Sequence, residues 1–215
     1  MLDTAPRTTN AAGLSPASLM TIGAVSGLAW AAGLRGLMAE IVGADSGVDW
    51  IGTFVWVLLP GLFVGLLLGW AEHLRRTGGR HRWRWLAWSP LVFSSVVVSN
   101  PGILGEGLGV GALAVPLFGM AGGYALSSRA PIWARLACAL FALLPVPAWA
   151  FSATLVGPGL ALDTARGAWV AMYYWTFLAV LAFACSIPHR EVIVAAPPTP
   201  VRGETLVQSG QNPNS

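Results

Sequence analysis

Six apolar stretches, each near the length a helix needs to cross a bilayer, divide this chain and leave few other ways to fold it. A hydrocarbon core of about 30 Å takes about 20 mostly apolar helical residues. Runs of that order lie at about Pro16 to Met38, Trp50 to Trp70, Trp83 to Ser99, Leu108 to Leu126, Pro131 to Leu155 and Ala165 to Ile187. Three have start signals: Ser15 with Pro16 as cap and first turn, Asp49 before Trp50, and Asp163-Thr164 before Ala165. The third run is short and stops at Asn100-Pro101-Gly102, which disfavours further helix. The expected architecture is an all-α polytopic membrane protein of about six transmembrane helices, several of them proline-kinked. A tail over residues 1–15 precedes the membrane domain at 16–187, and a polar, Pro-rich tail expected to be disordered covers 188–215.

Composition supports this placement in the membrane. Hydrophobic residues make up 55% of the 215 and charged ones only 10%, where soluble domains carry roughly a quarter charged. That excludes a soluble monomer, and despite 26 Gly and 15 Pro it excludes general disorder. Cys138 and Cys185 lie far apart within apolar runs, as buried free thiols do, and no metal or cofactor is expected.

Arginine placement predicts orientation, because cytoplasmic loops keep their basic residues. The stretch from His73 to Arg84 alone holds five arginines. With six alternating spans, ten arginines and four carboxylates fall on one side, a net +6, and two arginines and five carboxylates on the other, a net −3. Both termini are therefore predicted to be cytoplasmic, in the cytoplasmic membrane. The arginines are accounted for by topology and an anionic inner leaflet, so nucleic acid is not an expected partner. Ala29-Trp30-Ala31 loosely resembles a signal-peptide cleavage site, but its apolar run is long and glycine-rich for that role.

Small residues recur at four-residue intervals: Gly23, Gly27 and Ala31 in the first span, Gly61, Gly65 and Gly69 in the second, and Gly107 with Gly111 and Gly119 with Gly123 in the fourth. Such stripes let helices approach closely in lipid, within the chain, in a homo-oligomer or against a membrane-protein partner. Pro60, Pro116, Pro145 and Pro147 fall near the middle of spans, where broken helices often border a cavity. Opposite orientation of the two halves, each with a proline-broken middle helix, permits an inverted repeat without establishing one.

Arg35 is the residue most out of place. It follows a long uncharged run and continues the series of Gly27 and Ala31, so it points toward the packed face and needs a partner: Glu106, Asp163, or Glu40 reached through another helix. Snorkelling to outer headgroups is the structural alternative. The stretch Ser99 to Gly109, with Asn100 and Glu106, is apolar yet not regular helix, and reads as a re-entrant loop or a plain turn. Trp30 with Tyr173, Tyr174 and Trp175 suggests an aromatic pocket, against a bland reading of packing. His73 beside Glu72 suggests a proton relay, against a solvated interface histidine.

Catalytic patterns are absent: no His-Glu-x-x-His pair, no nucleophile elbow and no intramembrane aspartate dyad. The leading reading is permease-like transport of a small solute or ion, with Arg35, Glu40, Glu106, Asn100 and Trp30 as candidate binding residues. The alternative is a non-catalytic membrane subunit or scaffold packing against a larger partner, and an intramembrane enzyme ranks below both.

Overall fold

The computed structural model describes residues 14–78, 83–99, 108–127 and 130–192. Among the described residues the fold is all helical. Helix α1 (Pro16–Val42) starts where expected: the Ser15 hydroxyl accepts from Ser18 N at 3.1 Å, with Pro16 in the first turn. It runs beyond Met38 to Gly43, whose φ of +75° supplies the left-handed stop. The Asp49 carboxylate caps the next helix through Gly52 N, and Thr164 caps helix α7 (Ala165–Cys185) through Gly167 N at 2.9 Å.

Each mid-span proline has its own local solution. Pro60 has no N–H, and its ring crowds the carbonyl four residues back. Upstream of it, Trp50–Leu58 opens into a π-helix, with Leu59 N bonded to Phe54 O, before α2 (Leu59–Arg76) resumes normal pitch. Pro145 leaves the Phe141 carbonyl without its usual donor, and a tightened turn supplies Leu144 N at 3.1 Å. Helices α5 (Ile132–Leu143) and α6 (Pro145–Val156) therefore follow one another through that turn. Pro116 sits inside α4 (Leu108–Ala125) and frees the Ala112 carbonyl, which the Ser94 hydroxyl bonds at 3.2 Å.

Four helical stretches are long and apolar enough to cross a membrane: Pro16–Asp45, Trp50–Arg76, Ile132–Val156 and Ala165–His189. The third and fourth expected spans fall outside this group. The third is a 3-10 helix, Trp83–Ser94, continued by the short α3 (Ser95–Ser99), and the apolar helix Gly111–Ala125 represents the fourth at lesser length. Within Trp83–Ser94 the buried residues Trp83, Leu86 and Ser89 recur every third position, as three residues per turn requires, and Pro90 and Phe93 keep the same spacing one position on.

The glycine stripes set the packing. A Cβ on Gly23 would overlap Gly65 O, one on Gly27 would overlap Gly61 O, and one on Gly69 would overlap Leu19 O, so α1 and α2 run antiparallel at backbone contact. Gly119 faces Leu181, and Gly123 faces Cys185, which sets α4 parallel to α7. Charge separates by end. Arg75, Arg84, Arg135 and Arg190 gather with the C-terminal turns of α2, α4 and α7, linked by Arg75 to Glu191 O, Arg135 to Ala125 O and a Tyr124–His189 edge contact. Arg35, Glu40 and Arg166 mark the opposite end.

Candidate functional site

An apolar cleft of about 280 Å³ opens where α1, the π-helix, the 3-10 segment and α4 meet. Leu34 and Met38 line it from α1, Trp56 from the π-helix, Phe93 from the 3-10 helix, and Val115 with Pro116 from α4. The π-helix, the 3-10 helix and the proline-interrupted α4 thus share one space. Prolines and departures from α geometry keep the backbones apart here, where glycine brings them together between α1 and α2.

Arg35 follows the cleft residue Leu34 and is held by the loop that precedes the π-helix and by the first turn of that helix. Its Nη1 donates to Ser46 Oγ at 3.0 Å and its Nε to the buried Thr53 hydroxyl at 3.4 Å, while Nη2 donates to the Gly47 carbonyl. Thr53 adjoins Gly52, a cleft residue, so the guanidinium fastens the start of the π-helix that forms one wall. The carboxylates expected to pair with it are placed otherwise. Glu40 meets Arg166, with Nε to Oε2 at 4.0 Å and Nη2 donating to the Glu40 carbonyl at 2.8 Å. Among the described residues no carboxylate is in ion-pair distance of Arg35. Glu106 and Asn100, and with them most of the stretch expected to re-enter, lie outside the described residues.

Trp30 is absent from this cleft; it packs against aromatic neighbours and borders a separate groove of about 250 Å³ along the α1–α2 seam. Its ring stacks on Phe177 at 4.3 Å, meets Phe93 edge-on at 5.3 Å, and donates from Nε1 to Phe177 O at 3.2 Å. Tyr173 joins through Phe177 and donates its hydroxyl to Gly33 O at 2.8 Å. The aromatic group therefore ties α1 to α7. Tyr174 lies apart from it, against Trp149 at 5.5 Å.

At the arginine-rich end, Glu72 accepts from Arg75 on both carboxylate oxygens at 2.7 Å and from Arg76 at 2.6 Å. Sequence reasoning set Glu72 beside His73 and passed over these partners, although spacings of three and four on a helix announce them. Among the described residues no three His, Cys, Asp or Glu side chains gather as a metal site would require. Comparison with protein-family models, curated proteins and solved structures gives no significant match.

Proposed function

We propose that the chain is a multi-pass protein of the cytoplasmic membrane, crossing it six times with both termini inside, and that it is permease-like, passing a small solute through the cleft. The observation that carries this reading is the meeting of the π-helix, the 3-10 helix Trp83–Ser94 and the proline-interrupted α4 at one cleft. Non-α backbone at membrane depth persists where it is buried in protein or lines a cavity. Length fits six crossings: twelve 3-10 residues and five α residues extend about 31 Å, and the 18 residues of α4 extend about 27 Å. The apolar walls favour a solute with an apolar body, and Arg35, held only by neutral acceptors among the described residues, would keep its charge for a polar or anionic group.

The test is water access. In a background with Cys138 and Cys185 replaced by alanine, Arg35→Cys and Val115→Cys should both react with a membrane-impermeant thiol reagent applied from outside. Gly111→Leu, which projects into the cleft, should shield position 115. A Val115→Cys that stays unreactive would remove transport through this cleft. The scaffold reading would then lead, because the Ile132–Val156 stretch leaves Phe151 83% and Leu155 85% exposed, a face for a membrane partner or for lipid.

A further inference from the structure

We infer that the junction of α2, the 3-10 helix Trp83–Ser94 and the turn Ile187–His189 holds the headgroup of an anionic phospholipid, with Arg84 and Arg190 on its phosphate. The three elements pack directly on one another. Their arginines divide into two kinds. Arg75 and Arg76 are both paired with Glu72, and Arg75 also fastens the Glu191 carbonyl at 3.3 Å. Arg84 and Arg190 are exposed and belong to no ion pair among the described residues.

Both free arginines flank one turn. Arg190 adjoins His189 and is oriented by its Nε bond to Ser186 Oγ at 3.1 Å, which leaves the two terminal nitrogens of the fork for a phosphate. Arg84 follows Trp83, which packs in one apolar cluster with Leu86, Ile187 and Val192, so the start of the 3-10 helix lies against the same turn. Glu191 is the nearby carboxylate that Glu72 does not duplicate, so four arginines at this junction face two acids.

The surface beside them suits acyl chains. Trp85 and Trp88 are three residues apart on a helix with three residues per turn, so they share a face, and they are 56% and 64% exposed. Trp85 meets Trp70 edge-on at 6.5 Å. Exposed indoles next to unpaired guanidinium groups are what the headgroup level of a bilayer selects. An acidic protein segment would satisfy the arginines but would not use the indole face.

The test is lipid retention by the purified full-length chain, read by native mass spectrometry against phosphatidylglycerol and phosphatidylcholine. The chain should retain phosphatidylglycerol preferentially, and R84Q/R190Q should weaken that binding about thirtyfold, the loss of two surface arginines. Arg166→Gln, at the other end, should leave it unchanged. Should the double variant fail to fold, R84Q alone decides, since Arg84 makes no hydrogen bond or ion pair among the described residues, and about a fivefold loss is expected. Equal retention of the two lipids, a preference that survives R84Q, or displacement of the lipid by soluble glycerol phosphate would overturn the inference.

Discussion

The α1–α2 seam and the cleft beside it are built from the same apolar, glycine-containing helices, yet in one the backbones touch, with a groove of about 250 Å³ along one flank, and in the other bulky side chains hold the helices apart around about 280 Å³. The seam has glycine on both partners in antiparallel register, Gly23 and Gly27 against Gly61, Gly65 and Gly69, so neither helix carries a Cβ to hold the other off. At the cleft the facing positions are Trp56, Phe93 and Val115, and the helices that bear them are widened, tightened or proline-interrupted. Glycine brings two backbones into contact when its partner is also small; against Leu181, Gly119 receives the side chain instead. Gly111, which lines the cleft, has nothing within 4 Å of where a Cβ would stand.

Enlarging one glycine on each side breaks this contrast most severely. Gly65→Leu would drive its side chain into the Gly23 carbonyl and should cost at least about 4 kcal/mol, seen as loss of the monodisperse peak and a collapsed Tm. Gly111→Leu should stay within about 0.5 kcal/mol of the parent, because it enters open space and relieves a flexible helix position. Comparable losses in the two variants would mean that the cleft is closed in the membrane.

A smaller effect isolates the proline device. Ser94→Ala leaves the Ala112 carbonyl with no donor and should cost about 1–2 kcal/mol. In a Pro116→Ala background that carbonyl regains its own helical N–H, so the same change should cost almost nothing. Thermal unfolding of the four proteins gives the coupling directly, and additive losses would show that Ser94 acts elsewhere.

The cleft was far harder to read from sequence than the seam, for a physical reason. Four-residue glycine spacing is a property of one helix and is visible in one chain, as are the caps at Ser15, Asp49 and Thr164. Both ends' charges were legible in the same way, as counts along the chain. A space between helices depends on which helices meet, and the prolines announced only that some carbonyls would need new donors. The period of three at Trp83, Leu86 and Ser89 was the available sign of 3-10 geometry, but Trp85 and Trp88 interleave with it as apolar residues and hide it. Arg35 was legible as a residue in need of partners. That its partners are a hydroxyl and a carbonyl of the loop after α1 and the Thr53 hydroxyl of the π-helix, and not a carboxylate, follows from the way that loop folds back over α1.

Two arginines at the same end of the molecule sharpen the comparison at its smallest scale. Arg35→Gln removes the three bonds that hold the 46–53 loop against the cleft and should cost about 1–2 kcal/mol, with faster amide exchange confined to that loop. Glu40→Gln removes one partner of a pair whose nitrogen and oxygen are 4.0 Å apart and whose side chains are 48% and 53% exposed. Solvent screens such a pair, and Arg166 keeps its 2.8 Å bond to the Glu40 carbonyl, so the loss should stay below about 0.5 kcal/mol. Exchange over the 46–53 loop should be untouched by Glu40→Gln. A loop released by either substitution would mean that Arg35 and the Glu40–Arg166 pair fasten one unit, and the closed seam and the open cleft would then share their outer support.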